Sequence, residues 1–376
     1  MNSKPKLLFF ITVDWFFCSH FLERATAARD AGYDVLVMTR VERDGQRITQ
    51  QGLRLVPIAI DRRSLNPFAA LSALWQVVKV YRRARPAIVH HVAIKPILLG
   101  TLAARLLGMK GVINAIVGMG YLSTTDRTSL RLLRSGLGLG LKFLLNPPGS
   151  RVVFENRDDL SSFVRQGQVR QKDAVLIRGA GVVPQAYSSH RPTEGPPVVV
   201  LVARMLWDKG VGEFVEAARM LRDQGSNARF LLVGDVDPGN RGSIPASMLR
   251  AWGDEGVVEC LGYRADVPEV LALADIACLP SYREGLPKSL LEAMATGLPC
   301  VATDVPGCRE AVRHGVNGLL VPARDARALA NAVQRLLDNP KLASQMGRRG
   351  RERIEMEFSS QRIVRETLDL YRQMSN

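Results

Sequence analysis

Ser281-Tyr282-Arg283-Glu284-Gly285-Leu286-Pro287-Lys288-Ser289-Leu290-Leu291-Glu292-Ala293 is the stretch that decides the fold. It follows a short apolar run, Ala274 to Leu279, and passes into a helical pattern, as a buried parallel strand does when it leads into its crossover helix. Pro287 falls in the first turn expected for that helix, where its missing N–H costs nothing. The unsatisfied N–H groups of a helix start attract anions. Lys288 and Ser289, with the Gly285-Leu286-Pro287 backbone leading into them, are therefore candidates to seat a diphosphate. Glu284 stands before the helix and Glu292 two turns inside it. Carboxylates so placed accept hydrogen bonds from the two sugars that flank a diphosphate, a transferred hexose and a ribose. Two glutamates eight apart are otherwise an ordinary solvated helix face; the preceding strand, Gly285 and Pro287 set this pair apart.

Upstream the same arrangement recurs. Val198 to Val202 reads as a strand, followed at once by Ala203-Arg204-Met205-Leu206-Trp207-Asp208-Lys209-Gly210. Arg204 as a bidentate donor and Lys209 as a compact charge suit a departing diphosphate. Gly210 to Arg222 has helical spacing, and Arg229 to Val233, Pro299 to Thr303 and Gly318 to Val321 are further short strands. The first half alternates in the same way: Leu7 to Val13, a helix near Phe21 to Ala31, Asp34 to Thr39, Ala87 to His90, then a helix over Ile97 to Leu107. Between the halves, Ser188 to Pro197 is polar and proline-rich, which is linker chemistry. The pattern predicts an α/β protein of two doubly wound, Rossmann-like domains, residues 1–187 and 197–358, facing a central cleft.

A length of 376 residues exceeds what one core usually supports, in keeping with two domains. No run of about 18 or more uncharged apolar residues is present, so a spanning helix is not expected. Asp14 interrupts the first apolar run and no cleavage pattern follows, so Leu7 to Val13 is read as a strand rather than a leader. Cys18, Cys260, Cys278, Cys300 and Cys308 have neither zinc spacing nor a C-x-x-C pair, and a reducing cytoplasm is expected. The net charge of +15 is wholly local: residues 1–190 hold 27 Lys and Arg against 12 Asp and Glu, whereas residues 191–376 hold 24 of each. A basic first half is expected to meet an anionic surface, nucleic acid or the acidic leaflet of a membrane.

Glu284 through Glu292 resembles the E-x7-E signature of the family-4 retaining glycosyltransferases, and Arg204 with Lys209 resembles that family's pair of diphosphate-binding cations. Val233-Gly234-Asp235, Leu261-Gly262-Tyr263 with Asp266-Val267, Ala302-Thr303-Asp304-Val305-Pro306-Gly307 and His314-Gly315-Val316-Asn317-Gly318 match further landmarks in order. The resemblance implies the GT-B fold, with a last helix over 359–376 crossing back to the first domain. It also implies transfer of a hexose or N-acetylhexosamine from a nucleotide diphosphate sugar, a UDP-sugar by preference, without a metal or other cofactor. Glu292 would hold the ribose, Glu284 the donor hexose and the backbone near Tyr263 and Arg264 the base, with Gly234 and Gly262 also among the donor-binding residues.

In the first half, Val13-Asp14-Trp15-Phe16-Phe17-Cys18-Ser19-His20 is expected as the loop after the first strand, where many relatives carry a Gly-rich turn. With Ile88-Val89-His90-His91-Val92-Ala93-Ile94-Lys95-Pro96 and Gly118-Met119-Gly120-Tyr121 it resembles the branch that builds bacterial polysaccharides on polyprenyl diphosphate carriers. That likeness implies a polyprenyl-linked saccharide acceptor held by His20, His90, Lys95 and Tyr121. The active-site histidine stays open between His90 and His91, since relatives often space the two differently. Asp14 either orients or deprotonates the acceptor hydroxyl or caps the next helix. Residues 128–146, leucine-rich with Arg131, Arg134 and Lys142, suit the headgroup region of an anionic membrane, and a cytoplasmic protein peripheral at the inner face of the cell membrane is expected. Three rivals remain at this level: a D-x-D metal site at Asp235-Val236-Asp237, a nucleotide-sugar epimerase of the same fold, and a basic nucleic-acid-binding protein. The last lacks any aromatic-basic interleaving, so no nucleic acid is expected as partner.

Overall fold

The computed structural model describes residues 4–60, 66–117, 142–188 and 195–375. The chain divides into two compact units, Met1–Ala180 with Ser360–Asn376, and Gly181–Ser359. The division falls at Ala180 rather than after residue 187 because the segment that follows is bonded into the second unit. The Val182 amide donates to the Phe358 carbonyl at 3.1 Å, and the Tyr187 carbonyl accepts from Arg351 at 3.1 Å.

The first unit begins with β1 (Lys6–Val13), α1 (Asp14–His20), α2 (Leu22–Asp30), β2 (Asp34–Arg40), α3 (Gly45–Gln50) and β3 (Arg54–Pro57). It continues with α4 (Pro67–Ala84), β4 (Ile88–Val92), α5 (Ile94–Leu106), β5 (Val112–Ile116), β6 (Arg151–Phe154), α6 (Arg157–Arg165) and β7 (Ala174–Leu176). Its strands form one parallel sheet in the order β3-β2-β1-β4-β5-β6-β7. Strand periodicity assigns the two faces: Leu7, Phe9 and Ile11 of β1 pack with α1 and α2, whereas Leu8 and Phe10 pack with α4 and α5. The expected loop after β1 is instead helix α1, because Phe17, Cys18 and Phe21 bury themselves on the sheet at helical spacing.

The second unit holds β8 (Val198–Val202), α7 (Val211–Asp223), β9 (Arg229–Val233), α8 (Ala246–Asp254), β10 (Glu259–Gly262), α9 (Val267–Ala272) and β11 (Ile276–Leu279). Then come α10 (Lys288–Thr296), β12 (Cys300–Thr303), α11 (Pro306–Ala311), β13 (Gly318–Val321), α12 (Ala326–Leu337) and α13 (Pro340–Arg353). The sheet is again parallel, in the order β10-β9-β8-β11-β12-β13. Val198 and Val200 face α9 and α10, while Val199 and Leu201 face α7 and α12. Strand order reverses between β8 and β11, so the crevice for a ligand lies past the carboxyl ends of those two strands.

The last helix, α14 (Ser360–Ser375), belongs to the first unit. Ile363, Leu370 and Tyr371 are buried in the core formed by α1, α2 and one sheet face, and Tyr33 and Ser375 share a hydroxyl hydrogen bond of 3.1 Å.

Candidate active site

The loops that leave β8 and β11 meet at the reversal point of the second sheet. The Tyr282 amide donates to the Asp208 carbonyl at 2.9 Å, which ties one loop to the other. Gly210, with φ of +70°, lies so close to the Pro280 carbonyl that a methyl group would collide with it. On this frame the Lys209 ammonium sits 2.6 Å from Glu284 Oε1, and the Ser281 hydroxyl donates to the same oxygen at 2.7 Å. The two charged side chains are only 18% and 11% exposed. From the neighbouring strand Thr303 donates its hydroxyl to the Ser281 carbonyl, and Gly307 packs directly against the carbonyls of Glu284 and Gly285.

Four residues beyond Glu284, α10 begins at Lys288, and Pro287 takes the position just before the helix rather than inside its first turn. Its carbonyl accepts from the amides of Leu290 and Leu291, so the amides at the very start of α10 precede the helical ladder. Glu292 Oε1 accepts from the Tyr187 hydroxyl at 3.0 Å and lies 3.4 Å from the Lys288 ammonium. Oε2 of Glu284 and of Glu292 has no donor among the described residues, which leaves each carboxylate an acceptor oxygen for an incoming hydroxyl. Burial first, and then Glu292, pushes the Tyr187 phenol well above its usual range, so it acts as a donor.

Arg204 leaves the same loop and pairs with Asp237 at 2.7 Å. The Met205 amide donates to the Asp235 carbonyl at 3.0 Å and the Gly234 amide to the Gly262 carbonyl at 2.8 Å, which chains the ends of β8, β9 and β10 together. Arg204, Lys209, Glu284 and Glu292 thus stand on one carboxyl-terminal rim of one unit. Tyr263 and Arg264 are exposed just beyond β10, where Arg264 pairs with Asp266. Asp237 is spoken for by Arg204 and Asp235 accepts from the next amide at 2.8 Å; among the described residues no three His, Cys, Asp or Glu side chains converge as a metal site. Sequence reasoning assigned no role to Tyr187, Ser281 or Thr303; in the folded chain Tyr187 and Ser281 donate to the two carboxylates and Thr303 holds the Ser281 carbonyl.

The acceptor residues expected in the first unit are placed differently. Asp14 is buried, and its Oδ2 accepts from the amides of Glu42, Arg43 and Asp44 at 2.9, 2.9 and 2.7 Å while Oδ1 accepts from Trp15. It clamps the loop after β2 and is neither a base for an acceptor nor a simple helix cap. His91 is fully buried, with Nε2 2.9 Å from the Tyr81 hydroxyl and Nδ1 2.8 Å from Asn114 Oδ1. His90 points to the other side of the sheet, its Nδ1 2.8 Å from the Tyr371 hydroxyl and its Nε2 buried without a partner among the described residues. Burial drives both imidazoles toward the neutral form, His91 to about 4. Neither reaches solvent, so the open choice between them resolves to two core residues. His20 stacks on Phe16 at 4.2 Å and Lys95 lies in the first turn of α5. Tyr121 and most of 128–146 lie outside the described residues.

Comparison with known proteins bears on the family and the fold. The family model described as "Glycosyl transferases group 1" matches residues 196–339, and "Glycosyl transferase 4-like" matches residues 6–144. The chain is 27% identical, over 92% of each chain, to the N,N'-diacetylbacillosaminyl-diphospho-undecaprenol alpha-1,3-N-acetylgalactosaminyltransferase of Campylobacter jejuni. It is 26% identical, over 82% of this chain and 81% of the other, to the UDP-Gal:alpha-D-GlcNAc-diphosphoundecaprenol alpha-1,3-galactosyltransferase of Escherichia coli. Among solved structures, Anabaena HepE in complex with UDP and glucose shares the fold, with a TM-score of 0.79 at 19% identity over 98% of this chain and 99% of the other. With a 4-like transferase pattern over its first half, a group 1 pattern over its second, and the paired glutamates and cations on one rim, the chain belongs to the family-4 glycosyltransferases of the GT-B fold.

Proposed function

We propose that the protein transfers a hexose or N-acetylhexosamine, with retention of configuration, from a UDP-sugar to a saccharide carried on polyprenyl diphosphate, at the inner face of a membrane. The carrying observation is the Lys209, Ser281 and Glu284 cluster set beside the start of α10, with Glu292 one turn into that helix. In this reading the diphosphate lies over the first amides of α10, with Lys209 and Arg204 offsetting its charge as the glycosidic bond breaks. Oε2 of Glu292 accepts a ribose hydroxyl and Oε2 of Glu284 a hydroxyl of the sugar being moved. In this reading Glu284 accepts a sugar hydroxyl and does not act as a covalent nucleophile. The departing phosphate oxygen takes the proton of the acceptor hydroxyl on the face from which it leaves, which gives retention. The names of the Campylobacter and Escherichia relatives support the choice of carrier. The basic first half supports a peripheral site, since no helix among the described residues is long and apolar enough to cross a membrane.

The test is to incubate the protein with labelled UDP-sugars and a polyprenyl-diphosphate-linked saccharide, in excess chelator, and to read the anomeric configuration of the product. An axial donor yielding an axial linkage, undiminished by the chelator, is expected. Conversion of the donor to its epimer without an acceptor, or activity lost on chelation and restored by a divalent metal, refutes the corresponding part.

A further inference from the structure

Helix α4 carries an outward stripe that the core does not use. Ala73, Val77, Val78 and Tyr81 pack against the sheet. Phe68, Leu71, Trp75, Lys79 and Arg82 recur at helical spacing on the side turned away, and all five are exposed, Phe68 by 79% and Trp75 by 58%. The stripe runs for about 21 Å, from three large apolar side chains to a cationic end that the exposed Arg83 reinforces. Helix α5 packs along α4 over the same sheet face and exposes Leu102 and Leu106, with Arg105 beside them. Neither helix contains an Asp or Glu.

Single exposed leucines are ordinary on a protein surface, but Phe, Leu and Trp aligned on one helix, packed beside a second helix with exposed leucines, both helices bearing cations and no Asp or Glu, are not. Trp at such a boundary has an apolar body for the acyl edge and a polar N–H for the headgroups, while long basic side chains reach lipid phosphates. The occupant that matches both the apolar stripe and the uniform charge is an anionic bilayer. We infer that the outer face of α4 and α5 is the surface by which this protein lies on an acidic membrane. Phe68, Leu71 and Trp75 enter the boundary between headgroups and acyl chains, and Lys79, Arg82 and Arg83 lie over the phosphates. The inference rests on the peripheral-membrane reading above and assigns it to residues apart from 128–146.

The full chain is mixed with vesicles of phosphatidylglycerol and phosphatidylcholine in equal parts, and with phosphatidylcholine alone. Partition onto the anionic vesicles is expected, and Lys79→Gln, Arg82→Gln and Arg83→Gln together lower it by roughly a hundredfold, from about a fivefold loss per charge. Phe68→Ser with Trp75→Ser lowers it by at least about tenfold. Because these side chains are exposed, the melting temperature and hydrolysis of UDP-sugar by the second unit stay as in the unaltered protein. Brominated phosphatidylcholine quenches tryptophan emission, and Trp75→Phe removes most of the quenched signal. Full anionic-vesicle binding by the variants, with no quenching through Trp75, overturns the assignment while leaving peripheral binding in place. If the serine variants change only the oligomeric mass, the assignment alone falls; if the unaltered protein binds no vesicles, both the assignment and the broader membrane reading fall.

Discussion

Lys209→Ala removes the ammonium that stands 2.6 Å from Glu284, and two separate losses follow. The first concerns stability. Breaking a fully buried ion pair costs about 3–5 kcal/mol and breaking an exposed one about 0–1. Here the side chains are 18% and 11% exposed, and the Ser281 hydroxyl still donates to Glu284, so about 2 kcal/mol is expected. For a unit the size of Gly181–Ser359 that lowers its melting temperature by roughly 4–8 °C. The second concerns turnover. A donor aimed at charge that grows as the leaving group departs contributes about 100- to 1000-fold to kcat, so turnover falls at least about a hundredfold. The two are separable in Lys209→Ala with Glu284→Gln, which leaves no unpaired charge. Calorimetry shows most of the stability restored, while a transfer assay stays at least about a hundredfold down because both groups that meet the donor are altered. Near-normal turnover of Lys209→Ala, or recovery of turnover in the double variant, refutes the reasoning.

Tyr187→Phe deletes the hydroxyl that Glu292 accepts at 3.0 Å, and an initial-rate titration shows KM for the donor raised about three- to tenfold with kcat little changed. Gly307→Ala sets a methyl 2.7 Å from the Glu284 carbonyl, so kcat drops about tenfold or more in the same assay while circular dichroism shows the fold retained. Acid weakens the first unit through its buried histidines. Burial pushes His91 down to about 4, and burial, then Arg24, pushes His90 well below the ordinary 6.5. The folded unit therefore binds fewer protons than the unfolded chain below pH 6.5. Its stability is full above that value and falls as pH drops toward 4, by about 2 kcal/mol at pH 5 from His91 alone. Thermal melts between pH 7.5 and 5 check this, and a flat profile refutes it.

Much of this was legible in the residues themselves. Val198–Val202, Arg229–Val233 and Gly318–Val321 are strands to the residue, because short apolar runs bounded by polar turns leave little choice. The paired glutamates and cations were legible for a related reason: local sequence sets the strand-loop-helix turns that carry them. The histidines were not. Adjacent residues in a strand point to opposite faces, so His90 and His91 enter two different cores. Their partners, Tyr371 and Tyr81, stand 281 and 10 residues away, beyond the reach of any local pattern. Asp14 escaped likewise, since the three amides it binds come from residues 42–44.

The placement of α14 bears on how the chain is born. Residues 1–180 leave the ribosome without Leu370 and Tyr371, which fill one side of their core, so the sheet made first is finished last. At about 5–20 residues per second, a wait of roughly 10–40 s separates that sheet from its missing helix. Through that interval Phe9 and His90 lack the tyrosine that packs on them, so this side of the first core is completed only after the whole second unit has been made.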